Sequence, residues 1–226
     1  MTVTSIHGET MSQRTKVTWD GGEVTAVIEG SGSTGILLAH GAGTNQDHPT
    51  MEGLRSGLAA GGHTVMTFNY PYTERGSKSP DRTEKLLACH RAAAEHLASR
   101  ADPLFLAGRS MGGRMGTYLV AESYPAAGLI LYAYPLHPPG RPEKLRVDQF
   151  GDIEVPMLFF QGTKDSLSRM ELFDAHIAVL PNADVEILEG AGHGPRGGGW
   201  NVESMTERYV SGSLSWIDEV SSGTSS

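Results

Sequence analysis

The chain of 226 residues contains one cysteine, Cys89, which excludes an internal disulfide and suits a reducing compartment. Aromatic residues make up only 7% of it. No apolar run approaches the ~20 residues that a helix needs to cross a bilayer, so no membrane association is expected. The first residues, Met1 to His7, lack the basic start and apolar stretch of a secretory signal, and a cytoplasmic location is expected. Basic charge is scarce as well. Eighteen Lys and Arg against 26 Asp and Glu leave a net charge of −8 with no basic cluster, which argues against a nucleic-acid partner. No His, Asp and Glu spacing supplies four zinc ligands, and no glycine-rich loop carries the Lys-Ser/Thr of a phosphate cradle. Neither a metal nor a cofactor is therefore expected. Internal repeats and interdomain linkers are also missing.

Glycine, by contrast, is plentiful, with 29 residues, and it punctuates alternating strand-like and helix-like segments. Residues 1–13 carry no periodic signal and are expected to fray, residues 14–220 read as a single domain, and residues 221–226 read as a disordered tail. Segments 16–19 and 24–28 flank the turn Asp20-Gly21-Gly22 and predict a hairpin. The continuous apolar run 35–39 predicts a central parallel strand. Further strands are expected at 64–68, 104–107, 129–133, 157–160 and 185–188. Helices are expected at 50–60, after an N-cap at Ser79-Pro80-Asp81, after Ser110, after a capping box of Ser168 and Glu171, and over 205–220. A leading hairpin followed by β-α units implies an α/β sandwich with a mostly parallel sheet, whose reactive groups gather at the carboxyl ends of the strands.

One segment stands out by its position. Gly108-Arg109-Ser110-Met111-Gly112 follows the apolar run 104–107 and precedes Met111, Met115, Tyr118 and Leu119 at helical spacing. A strand, a sharp turn and a helix with serine at the apex make a nucleophile elbow, in which minimal side chains at Gly108 and Gly112 permit close backbone approach. Three more polar groups follow strand ends: His40 in His40-Gly41-Ala42-Gly43, Asp165 after Gly162-Thr163-Lys164, and His193 between Gly192 and Gly194. A weakly nucleophilic serine needs a base, which His193 would supply, and the imidazole needs an orienting carboxylate, which Asp165 would supply. The Met111 and Ala42 N–H groups are the expected oxyanion donors.

Alternatives stay beside these assignments. Asp165 can equally cap the helix that follows it. Asp148 and Asp152 are rival acids, although they precede their strand. His137, together with His40, Gly41, Gly43 and Tyr72, is expected to contact substrate, and Tyr70 and Arg75, which follow the same strand end as Tyr72, are expected to border the pocket. Asp47 and His48 either contact substrate or begin a helix. Arg109 and Arg114 either bind an acidic substrate or pack on the surface, and Trp200 with Gly197-Gly198-Gly199 is a flap or a plain loop. Cys89, His90, His96 and His176 read as helix-face or packing residues.

The residues at 36–43, 105–113, 162–165 and 190–194 resemble those of α/β-hydrolases, specifically the small dienelactone-hydrolase-like branch. The elbow with Gly113-Arg114 and the stretch His40-Gly41-Ala42-Gly43-Thr44 are similar to a subgroup related to testis-expressed protein 30 and to a subunit of a histone-acetyltransferase complex. The resemblance covers about residues 34–217. It implies a three-layer sandwich with Ser110 as nucleophile, Asp165 as acid and His193 as base, in the order Ser, Asp, His. It also implies a serine hydrolase of small acyl esters or thioesters, acting on a small-molecule substrate through an acyl-enzyme. The other expectation is a non-catalytic interaction module on the same fold. Dienelactone hydrolases proper place cysteine where this chain has Ser110. Residues 134–156 are too few for a full cap domain, so the pocket is expected to be shallow and open.

Overall fold

Runs of apolar residues with no polar alternation become strands buried on both faces. Every residue of β3 (Gly35–Ala39), β4 (Thr64–Phe68), β6 (Gly128–Tyr132) and β7 (Met157–Gly162) is buried in the computed structural model, which describes residues 12–223. With β1 (Ser12–Trp19), β2 (Gly22–Glu29), β5 (Leu104–Arg109) and β8 (Ala183–Leu188) they form one sheet in the order β1-β2-β4-β3-β5-β6-β7-β8. β1 and β2 are the antiparallel hairpin, β2 joins β4 antiparallel, and all pairings from β4 through β3 to β8 are parallel.

Side chains of a strand alternate between faces, and here the alternation divides the core in two. Leu37 and Ala39 face a layer containing α3 (Thr83–Ala98) and α4 (Met111–Ala121), whereas Ile36 and Leu38 face α1 (Pro49–Ala60) and α6 (Val202–Ser222). The sandwich thus has three layers. α1 and α6 pack closely: a Cβ at Gly53, Gly57 or Gly61 would lie 2.9, 2.6 or 2.4 Å from Thr206, Val210 or Leu214, respectively. Two short helices complete the set, α2 (Pro71–Glu74) and α5 (Met170–His176). Between β6 and β7 there is only a 3₁₀ turn, Asp148–Asp152, and no cap domain.

Several local expectations are corrected. Ser12 and Gln13 belong to β1, paired with Glu29 and Ile28, because the hairpin continues past the periodic signal. The last helix extends through Ser222, and it starts at Val202 after a capping box of Asn201 and Ser204. The remaining terminal residues, 1–11 and 224–226, lie outside the described residues. Ser79 does not cap a helix. It forms a local turn with Ser77, and α3 starts only at Thr83, while Asp81 pairs with Arg75 at 2.7 Å and Lys85 at 3.4 Å. The Ser168–Glu171 capping box is likewise missing, because Ser168 is drawn into the turn that Asp165 organises and α5 starts at Met170.

Candidate active site

Ser110 sits where β5 ends and α4 begins, with φ 51° and ψ −116°, a strained conformation for a residue with a side chain. The local sequence makes that turn possible. A Cβ at Gly108 would lie 2.3 Å from the Gly113 nitrogen, and one at Gly112 would lie 2.3 Å from the Ala39 carbonyl oxygen. Gly108 thus permits the strand–helix contact, while Gly112 lets α4 sit against β3. Ser110 N–H donates to the Tyr132 carbonyl at 2.9 Å, which fixes the apex to β6.

The loops after β7 and β8 bring two side chains to this apex. The His193 Nε2 lies 2.9 Å from Ser110 Oγ, and its Nδ1 lies 2.8 Å from Asp165 Oδ2. An ionised carboxylate only accepts, so Nδ1–H donates to Asp165 and Nε2 is left to accept from the serine hydroxyl. The Asp165 side chain is fully buried, whereas that of His193 is 23% exposed. Asp165 does not cap the following helix, since α5 begins at Met170 with Arg169 as its N-cap. Its Oδ1 instead accepts from the Leu167 N–H at 2.8 Å in the turn ahead of that helix, while Oδ2 faces His193. Lys164 N–H donates to the Ala191 carbonyl at 2.8 Å, tying the two loops together. Asp148 and Asp152 lie in the 3₁₀ turn ahead of β7, at the opposite end of that strand from Asp165.

The loop after β3 faces Ser110 from the other side. Ala42, Ser110 and Met111 line a common pocket of about 310 Å³. Met111 opens α4, where helical N–H groups have no intrahelical partner. The Gly41 carbonyl accepts from His40 Nδ1 at 2.8 Å, Thr44 Oγ1 at 3.0 Å and the Tyr72 hydroxyl at 3.4 Å. In a planar trans peptide the N–H points opposite the C=O, so anchoring the Gly41 oxygen also orients the Ala42 N–H. Gly43 takes φ 71°, which a glycine adopts without strain, and it is exposed at the end of this loop.

Besides Gly41, which is buried as well, three expected substrate contacts turn out to be interior residues. His40 is fully buried, its Nε2 accepting from the Tyr70 N–H at 3.2 Å while its Nδ1–H holds Gly41. Burial pushes its pKa down to about 4, partly countered by the Gly41 bond, so the ring is neutral. Tyr72 is fully buried behind Gly41. His137 is buried, its N–H donating to the Leu167 carbonyl and its Nδ1 lying 3.0 Å from the Pro138 carbonyl, so it braces the pocket wall from behind. In each case the sequence places the residue at a strand end, but the packing of the loop turns its side chain inward.

Other candidates resolve to structural roles. His48 caps α1 by accepting from the Thr50 N–H, and Asp47 pairs with Arg14. Tyr70 and His90 form a buried pair at 2.9 Å. Cys89 is buried, and desolvation pushes its thiol up to about 12, away from nucleophilic chemistry. The Trp200 indole N–H donates to the Glu189 carbonyl at 2.9 Å, which pins the glycine run against the β8 loop. Among the described residues, no group of three or more His, Cys, Asp or Glu could hold a metal ion, and no helix is long and apolar enough to cross a membrane. Sequence reasoning missed Arg146 and Leu167 in the pocket, since both arrive from loops with no periodic signal.

Comparison with known proteins agrees with this architecture. The family model described as "Alpha/beta hydrolase domain" matches residues 32–212. Among solved structures, an alpha-beta serine hydrolase homologue from Coxiella burnetii is 19% identical, with TM-score 0.70 over 88% of this chain and 96% of that one. An a/b serine hydrolase without lid from Xanthomonas campestris is 20% identical, with TM-score 0.72 over 92% and 96%. A protein from Klebsiella pneumoniae assigned as a dienelactone hydrolase is 18% identical, with TM-score 0.73 over 94% and 100%. At these identities the likeness is one of fold.

Proposed function

The chain belongs to the α/β-hydrolase family, and from that premise we propose that it is a cofactor-independent serine hydrolase of small acyl esters or thioesters. The observation that carries this reading is the continuous relay from Asp165 Oδ2 through His193 to Ser110 Oγ, with separations of 2.8 and 2.9 Å. A strained serine aligned with a base that is itself aligned with a buried carboxylate is the arrangement acyl transfer requires.

In this scheme Ser110 Oγ attacks the scissile carbonyl carbon while His193 Nε2 takes the hydroxyl proton. The carbonyl π electrons move to the oxygen, and the Ala42 and Met111 N–H groups stabilise that oxyanion. Collapse expels the alkoxide or thiolate, which leaves as alcohol or thiol with the proton from His193, and an acyl-Ser110 ester remains. Water then attacks with His193 as base, the Ser110 Oγ–carbon bond breaks, and the carboxylic acid departs as the serine regains its proton. Asp165 stabilises the imidazolium at each stage. The absence of a cap between β6 and β7 leaves the pocket open, which favours small acyl groups over long lipid chains.

The test is fluorophosphonate labelling read by intact mass, with Ser110→Ala and heat-denatured protein as controls. One phosphonyl adduct per chain, lost in both controls, supports an activated serine. Folded protein that stays unlabelled would instead favour an interaction module on this fold.

A further inference from the structure

The pocket beside Ser110 carries two guanidinium groups that the acyl-transfer chemistry does not use. Arg114 lies one turn after Ser110 on α4, its N–H donating to the Ser110 carbonyl at 3.1 Å, so both residues share a helix face. Arg146 reaches the same pocket from the segment between β6 and β7. Neither forms an ion pair among the described residues, although Arg14, Arg55, Arg75, Arg91 and Arg208 all do.

Arg114 is the more telling of the two. The side chain is partly buried, its Nε has no hydrogen-bond partner among the described residues, and the Tyr118 ring lies 5.9 Å from its guanidinium carbon. A buried, charged donor without an acceptor is costly, and such groups are normally satisfied by something. Arg146 spends one nitrogen on the Pro135 carbonyl at 3.3 Å. Burial and then the Arg114 charge both lower the Arg146 pKa, so the two cations feel each other across the pocket. The pocket's acid, Asp81, forms no ion pair with either: its Oδ1 is held by Arg75 and Lys85, and its Oδ2 is buried without a hydrogen-bond partner. Leu86 and Leu167 add apolar wall to the same pocket.

We propose that Arg114 and Arg146 form an anion subsite, and that the substrate is an acyl compound carrying an oxyanion group, carboxylate or phosphate, a few bonds from its scissile carbonyl. Paired guanidiniums present forked donors that match the oxygens of either group, and an aliphatic spacer fits the apolar wall. A pocket of about 310 Å³ limits that spacer to a short chain. The positive end of α4 adds to the same field. This proposal rests on Ser110 acting as the nucleophile, and its test separates the two.

The experiment compares monoanionic 4-nitrophenyl esters of succinic, glutaric and adipic acid with their neutral methyl esters. The readout is the anionic-to-neutral ratio of kcat/KM, in which any general loss of activity cancels. For at least one chain length the ratio exceeds one in the native protein, and it falls by at least about tenfold in Arg114→Gln and in Arg146→Gln. Substitutions on two separate elements guard against misfolding of either variant, which circular dichroism checks. Competitive inhibition by glutarate or by inorganic phosphate, weakened in the same variants, identifies which oxyanion is held. A ratio at or below one for every chain length, or one that neither substitution moves, overturns the subsite and leaves the hydrolase standing. If no ester is cleaved and Ser110 resists the phosphonate, the nucleophile reading fails instead. Calorimetric binding of the glutarate monoester to Ser110→Ala, with and without Arg114→Gln, then decides the subsite: weakened binding supports it and equal binding overturns it.

Discussion

Arg109 Nη2 donates a 2.8 Å hydrogen bond to the backbone carbonyl of His193. Arg109 immediately precedes Ser110 at the end of β5, so the strand that carries the serine also clamps the loop that carries the histidine. The two loops meet across 84 residues of chain, and this bond ties the His193 backbone directly to the residue next to Ser110. The side chain that the sequence offers as an acid binder or a surface residue thus holds the backbone of the His193 loop.

Arg109→Met is expected to lower kcat on an aryl ester by about tenfold to a hundredfold, since misplacing a reacting group by ~1 Å costs on that order. KM should change less, and Arg109→Lys should restore part of the loss. Steady-state kinetics with a parallel thermal melt makes the check. A large drop in Tm with an unchanged kcat would assign the bond to stability alone.

For Asp165→Asn, the turn can survive through the amide oxygen and the Leu167 N–H, while the charge facing His193 is lost. The expected result is a kcat lower by roughly 10³ to 10⁴ with a near-native Tm. A variant with full turnover would take Asp165 out of the relay and leave it as a turn residue.

The glycines around the elbow should not respond alike. Gly108→Ala and Gly112→Ala each force a Cβ to within 2.3 Å of backbone atoms, which cannot step aside. Losses on the order of 3 kcal/mol or more, or failure to express, are expected. Gly116→Ala, further along α4, meets its nearest neighbour at 3.5 Å and should be neutral or stabilising by up to about 1 kcal/mol. Urea midpoints of the three variants measure the contrast.

Stability should fall with acid because of two buried neutral histidines. Burial lowers His40 to about 4 and His90 to about 3, against an unfolded value near 6.5. Between those values the unfolded chain binds protons that the folded chain refuses. The stabilisation is therefore complete above about pH 6.5 and declines as the pH drops through 6.5 toward 4, on the order of 1 kcal/mol per histidine per pH unit. Urea unfolding from pH 7.5 to 4.5 measures this slope, and His90→Gln should reduce it. An unchanged slope would mean that carboxylates dominate the acid response.

The alternating strands and helices of an α/β sandwich were readable because a strand buried on both faces must be apolar throughout, as at 35–39 and 157–160, and because glycine stands where backbones touch, as at Gly108 and Gly112. The meeting of Ser110, Asp165 and His193 was readable for a related reason: the loops after β5, β7 and β8 all leave the same carboxyl edge of one parallel sheet. The sequence by itself determined those features through local sterics and hydrophobic periodicity. Only the tertiary structure decided which way each loop side chain turns. It buried His40, Tyr72 and His137, set Arg109 on the His193 carbonyl, and brought Arg146 beside Arg114. Such directions depend on hydrogen bonds and packing between segments far apart in the chain, and no local pattern of residues encodes them.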